Sequence, residues 1–175
     1  TVSIINLTTE TNVGALQVGT NPNSIVTDSY GKLWVLCGGS TGPDYIGGTV
    51  DDIAGSLWKI NPQTFAVEFQ VDFGSSSHPI KLQTNGTKTE LYFLAGNDNY
   101  SGKIMKMDVN TTTLNPQLFS NKEFYGLGID PSSGIVYGAF VPGFTQNGYI
   151  FRYTVGASLI DSMEVGIAPN WFTFN

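Results

Sequence analysis

The chain reads as an all-β protein, a β-propeller of four-stranded antiparallel blades, and three observations lead there. A cassette of glycine, alternating apolar strand and polar turn recurs as Gly55–Thr64, Gly102–Thr111 and Gly148–Ala157, with starts 47 and 46 residues apart. That spacing falls in the range of propeller blades. A fourth copy, Thr1–Thr9, opens the chain without its glycine. Between cassettes lie further short alternating runs, bringing each repeat to four strands, the plan of a blade set radially about a channel. Composition agrees: charged residues make up only 13%, glycine and aromatics are plentiful, and no three-turn stretch keeps helical apolar spacing without a Gly, Pro or Asn interrupting it. Solenoids of similar period use helices, and a β-sandwich would not require phased repetition.

The strands follow in order. With A to D running from the channel outwards, Val2–Leu7 and Val13–Val18 read as a C and a D strand. Ser24–Thr27, Lys32–Leu36, Leu57–Ile60 and Ala66–Val71 then form a complete A-B-C-D blade. His78–Leu82, Leu91–Leu94, Ile104–Met107 and Leu114–Phe119 form the next. Tyr125–Ile129, Ile135–Phe140 and the cassette at Gly148 belong to a third, and Trp171–Phe174 reads as a final A strand. Asn85-Gly86 between two alternating runs is a hairpin signal, because both residues tolerate positive φ. The tally is three complete blades plus a partial first and a partial last one, with one B strand unsupplied. The expectation is a single domain over residues 1–175, the C-terminal half of a longer ring. The remaining blades would come from a missing N-terminal segment or from a second copy of the chain. An open arc would otherwise expose blade faces and strand edges.

Charge excludes some functions. The formal net charge is −6 and no Lys/Arg cluster occurs, so the basic footprint that nucleic-acid binding needs is missing. No run of 18 apolar residues is present to span a membrane as a helix. The one cysteine, Cys37 in Leu33–Cys37, reads as a small buried hydrophobe and has no internal disulfide partner. No Gly-x-Ser-x-Gly elbow or helix-opening glycine pattern occurs, so neither a hydrolase nucleophile nor a phosphate cradle is indicated.

Candidate sites sit on loops. B–C and D–A loops emerge on one propeller face, and loops held by a rigid scaffold concentrate function. The longest is Gly38–Ala54, where Asp44, Asp51 and Asp52 could offer carboxylates to calcium, although their spacing fits no EF-hand and the loop reads equally as unliganded. His78, the only histidine, opens a strand A and by phase stands with Asn23, Tyr125 and Asn170 at the channel mouth. It reads either as a ligand-binding or basic group or as a half-buried polar closure. Trp34, Tyr92 and Tyr137 on strands B, with Trp58, Met105 and Phe151 on strands C, read as packing between blades rather than a sugar-stacking stripe. Tyr45, Tyr100 and Phe144, in B–C loops, are the better candidates for touching a ligand. No residue is assigned a catalytic role and no cofactor beyond an optional calcium is expected.

Several features carry a resemblance: Asn61-Pro62 and Asp108-Val109 in the C–D turns, the pre-strand prolines Pro22, Pro79 and Pro169, and the hairpins Asp28–Trp34, Asn85–Tyr92 and Asp130–Tyr137. Together they resemble the YVTN/YncE-type propellers of bacterial surface-layer-like and secreted proteins, and within those the cell-surface propellers of gut anaerobes. The resemblance implies a seven- or eight-bladed ring and an exported protein, at the cell surface, in the periplasm or as a lipoprotein. It also implies a non-enzymatic scaffold binding a small molecule, a glycan or a protein. Related propellers that are lyases or lactonases work with a divalent metal at the channel mouth, so a metal-dependent enzyme there is the alternative.

Overall fold

The computed structural model describes residues 1–43, 51–74, 76–98 and 100–175. Among them there is no helix, hence none long and apolar enough to cross a membrane. β1 (Val2–Asn6) and β2 (Thr11–Leu16) form a two-stranded sheet. Three four-stranded sheets follow, each built in chain order and antiparallel throughout. Blade I is β3 (Pro22–Thr27), β4 (Leu33–Cys37), β5 (Ser56–Ile60) and β6 (Val67–Asp72). Blade II is β7 (Ile80–Thr84), β8 (Glu90–Ala95), β9 (Gly102–Asp108) and β10 (Gln117–Phe124). Blade III is β11 (Gly126–Ile129), β12 (Val136–Phe140), β13 (Asn147–Tyr153) and β14 (Leu159–Ile167). β7 touches both β3 and β11, so the first strands converge on the inner side of an arc, as in a propeller.

The cores lie between sheets, and the period-2 pattern of each second strand explains how. In β4, Trp34 and Leu36 pack with Leu82, Leu91 and Phe93 of blade II, while Val35 and Cys37 pack towards Val2, Leu16 and Val18. In β8, Leu91 and Phe93 face blade I, while Tyr92 and Leu94 face Leu127, Ile129 and Val136 of blade III. Both faces of these strands are buried, which is why they read as unbroken apolar runs. Burying each such side chain contributes about 1.5–3 kcal/mol. Blade III substitutes small residues in the same strand. Gly138 stands where β8 has Phe93, and a Cβ there would run into the Phe124 ring, which fills that volume.

Each hairpin is closed by an Asx device, in which a side-chain oxygen stands in for a backbone acceptor. Asp28 Oδ1 accepts the N–H groups of Tyr30 and Lys32, both at 2.9 Å. Asn85 Oδ1 accepts from Thr89 and Glu90, and Asp130 Oδ1 from Ser132 and Ser133. The C–D turns reuse the device at Asn6, Asn61 and Asp108. The Asn85-Gly86 turn differs in mechanism from expectation. Positive φ falls on Lys88 (57°), and Gly86 is needed because a Cβ would strike the Pro131 backbone of blade III.

The aromatics of the second strands each stand opposite a cation on the third: Trp34 with Lys59, Tyr92 with Lys106, Tyr137 with Arg152. An acid completes every set. Trp34 Nε1 donates to the buried Asp28 Oδ2 at 2.9 Å, with Lys59 Nζ 3.7 Å from the same oxygen. Tyr92 donates its hydroxyl to Glu90, which also holds Lys106, and burial pushes the Tyr92 phenol above its ordinary range. Arg152 grips Asp161 through Nε and a terminal nitrogen. Packing between blades is the role of Trp34 and Tyr92, as expected.

Two elements depart from expectation. The fourth strand of blade II runs over Gln117–Phe124 rather than Leu114–Phe119, with register shifts after Leu118 and Ser120. Asn115-Pro116 delays its start, since proline cannot donate to the ladder. The shifts turn Phe119 and Phe124 inward against Tyr153. Trp171–Phe174 is not a strand. Phe172 and Phe174 share one side and pack on Tyr137, with ring centroids 5.5 and 5.3 Å away, but the segment meets no second strand with which to form a ladder.

Removing the Asp28 carboxylate strands the Trp34 N–H and two hairpin amides. Asp28→Ala is therefore expected to cost about 3 kcal/mol in chemical denaturation, whereas Asp28→Asn, which keeps acceptors, should cost less. Asp161, Glu68 and Asp130 are held below the ordinary carboxylate range by hydrogen bonds, foremost from Arg152, Lys32 and the Ser133 hydroxyl respectively. Groups with lowered folded values contribute stability that is complete above the ordinary carboxylate range and lost as pH falls through those values. Melting temperature should thus hold down to the ordinary carboxylate range and fall as the pH drops below about 4, and Asp161→Asn should flatten part of that fall.

Candidate functional site

Three of the expected ligand-contacting residues converge. Tyr100, Tyr125 and Phe144 line one open cleft of about 450 Å³ between the loops of blades II and III, together with Asp98, Ser101, Glu123, Phe124, Phe140 and Val141. Each is placed by its local backbone. Asp98 Oδ1 accepts the N–H groups of Tyr100 and Ser101, both at 2.8 Å, and this Asx turn presents Tyr100 at the head of β9. Tyr125 stands immediately before β11, its N–H donating to Ala139. Phe144 follows Pro142-Gly143 in the β12–β13 loop and meets Tyr125 edge to face, ring centroids 5.6 Å apart at 80°. Tyr100 and Phe144 are about two-thirds exposed, at 66% and 65%, so their faces remain open to a ligand.

The cleft is acidic and aromatic. Asp98 and Glu123 supply two carboxylates and no basic side chain lines it. Lys122 is turned away, its Nζ 3.8 Å from the Phe140 ring centroid and 4.7 Å from that of Phe151. Asp98, Ser101 and Glu123 also border a smaller depression with Lys103. Asp98 and Tyr100 continue into another with Thr20, Asn21 and Ser40 of blade I. The surface thus runs across the loops of all three blades. Sequence reasoning missed Asp98 and Glu123. The signal was available, since Asp98 lies in the same loop as Tyr100 and Glu123 directly precedes Phe124-Tyr125 in the D–A connection.

The remaining expected residues do not join this cleft. His78 is fully buried, not at the channel mouth. Its Nδ1–H donates to the Gly38 carbonyl at 2.9 Å, and Nε2 lies 3.2 Å from Asp52 Oδ2, whose side chain is also buried. Both ring nitrogens face oxygen acceptors, one a backbone carbonyl and the other a carboxylate. The pair ties the base of the Gly38–Ala54 loop to the start of blade II. Asp52 thus meets His78 within the protein. Asp51 lies against Gly42. Asp44 and Tyr45 fall outside the described residues. Among the described residues no three His, Cys, Asp or Glu side chains gather as a metal site. The Asn23 amide donates to the Pro79 carbonyl at 3.0 Å, stitching blade I to blade II, and lines a separate cavity on the inner side of the arc. Asn170 packs its backbone carbonyl on Gly126. Cys37 is buried, which pushes its thiol up and removes it from surface chemistry.

No family model matches the chain and no curated protein does either. Solved structures do. A quinoprotein alcohol dehydrogenase-like protein from Bacteroides thetaiotaomicron superposes with a TM-score of 0.57 at 17% identity, covering 81% of this chain and 33% of its own. The β-propeller domain of the trilobed protease from Pyrococcus furiosus, described as having an open velcro topology, gives a TM-score of 0.54 at 8% identity over 87% of this chain and 45% of its own. The chain thus spans a third to under a half of these structures. At such identities the likeness establishes fold, and the chain is an arc of a β-propeller.

Because His78 and Asp52 are buried as a pair, His78→Ala is expected to destabilise the protein by about 3–5 kcal/mol. Calorimetric unfolding would show this as a lowered melting temperature. A surface histidine of the ordinary kind would change stability by less than about 0.5 kcal/mol.

Proposed function

We propose that this propeller is a non-enzymatic binding scaffold of an exported protein, and that it holds a hydroxyl-rich ligand such as a glycan in the cleft between blades II and III. The observation that carries the reading is the convergence of Tyr100, Tyr125, Phe140 and Phe144 with Asp98 and Glu123 in one cleft. Aromatic faces accept the apolar C–H face of a sugar ring, and carboxylates accept its hydroxyl protons. A few polar groups set among apolar surface are what orient a small ligand in a concave site. Tyr100 is held through its N–H by the Asp98 side chain and Tyr125 through its N–H by the Ala139 carbonyl, and residues held in place before binding lose less entropy when a ligand docks. The reading calls for no cofactor.

A metal-dependent enzyme at the channel mouth is the competing reading, and a neighbour's name speaks of alcohol dehydrogenase. That reading would draw on His78, which is instead occupied by Gly38 and Asp52 inside the protein. The cleft itself contains no histidine or cysteine, which leaves Asp98 and Glu123 as its titratable groups apart from the tyrosines.

An immobilised array of neutral oligosaccharides, followed by calorimetry on any hit, tests the proposal. Tyr100→Ala and Phe144→Ala are each expected to weaken binding about tenfold, the loss of roughly 1.4 kcal/mol of stacking. Tyr30→Ala, at an exposed hairpin tip away from the cleft, should bind as wild type does. Equal affinity in all three variants, or release of a cleaved product, would overturn it.

A further inference from the structure

A second cavity, also of about 450 Å³, opens on the inner side of the arc between β3 and β7, with Trp171 along its edge. Its chemistry is the reverse of the loop cleft: among the described residues the one charged group lining it is Lys81. Ser24 and Gln83 add polar groups, and Ile25, Val26 and Leu82 make the rest apolar. Lys81 sits over the Trp171 ring, its Nζ 4.2 Å from the centroid.

Lys32, Lys59, Lys106 and Arg152 each have a carboxylate partner, whereas Lys81, like Lys88, Lys103 and Lys122, makes no ion pair and its side chain no hydrogen bond among the described residues. Of these four, Lys81 is the one that lines the inner cavity. Its backbone is also held at φ +61°, in the left-handed region, where β7 breaks register with β8 between Ile80 and Gln83. The inner strand of blade I, β3, also breaks register near its start, between Pro22 and Ser24, whereas β11 of blade III pairs with β12 without a break. Strained positions and bulges gather where a side chain is aimed for use.

We propose that this inner cavity binds a small amphipathic monocarboxylate, its anionic end on the Lys81 ammonium and its apolar body against Trp171. Burial pulls Lys81 below the usual lysine range, which is the mark of a cation short of counter-charge, and a carboxylate would supply it. One ammonium with apolar walls suits a single carboxylate better than phosphate, whose three oxygens call for several donors. The site is independent of the loop cleft and of what that cleft binds.

Calorimetric titration of the full chain with benzoate, benzyl alcohol and inorganic phosphate tests it. Benzoate is expected to saturate, with benzyl alcohol and phosphate at least tenfold weaker, since a charge-assisted contact is worth about tenfold or more. Lys81→Met should weaken benzoate by that factor and bring it level with benzyl alcohol. Lys81→Gly suits the positive φ, so it folds at least as well as wild type, and it should lose benzoate equally. Benzoate failing to saturate at millimolar concentration would overturn the proposal. So would unchanged benzoate affinity in both variants, or phosphate binding as tightly as benzoate.

Discussion

Everything in this molecule depends on the second strand of each sheet being buried on both faces. A β-strand sends successive side chains to opposite sides, so β4 and β8 each contribute alternate residues to two different cores. Trp34 and Leu36 belong to one layer and Val35 and Cys37 to the other. A slip of one residue would exchange those two sets and mismatch both layers at once, which pins the register firmly. No sheet has a core of its own, and stability comes from each blade leaning on its neighbours.

Polar chemistry is confined to the outer ends of these apolar layers and is repeated with variation. An aromatic on the second strand, a cation opposite it and an acid beside them recur in every blade, but the acid comes from a different place each time: the A–B turn for Asp28, the start of β8 for Glu90, the fourth strand for Asp161. Charge geometry is therefore preserved while sequence position is not. The buried His78–Asp52 pair does the same service at the loop end, anchoring blade I to blade II. With this framework rigid, the loops are free to differ, and they do: an acidic aromatic cleft on one face and a basic pocket on the inner side coexist within one arc.

Much of the architecture was legible from the chain. The phase of the cassettes placed the strands of all three complete blades and the two-stranded opening, because period-2 apolar runs bounded by Asx turns are a local property. Tyr100 and Phe144 were read as loop candidates because loop position follows from strand order, whereas Tyr125 was placed at the channel mouth by phase and lies instead beside them in the loop cleft. His78 was assigned to the channel mouth by phase alone. Phase sets which strand a residue opens but not whether a loop thirty residues earlier folds back to cover it.

What the sequence by itself determined is therefore the order and pairing of strands within the blades, since turn chemistry and alternation act between near neighbours. Tertiary structure alone decided three further matters. It buried His78 against Gly38 and Asp52, it brought Asp98 from a loop and Glu123 from the end of β10 to the same aromatic cleft, and it left Lys81 over Trp171 without a carboxylate. It also left Trp171–Phe174 packed on Tyr137 without a ladder, because a strand needs a hydrogen-bonding partner as well as an alternating pattern. These outcomes rest on contacts between residues far apart in the chain, and no local pattern encodes which distant groups will share a volume.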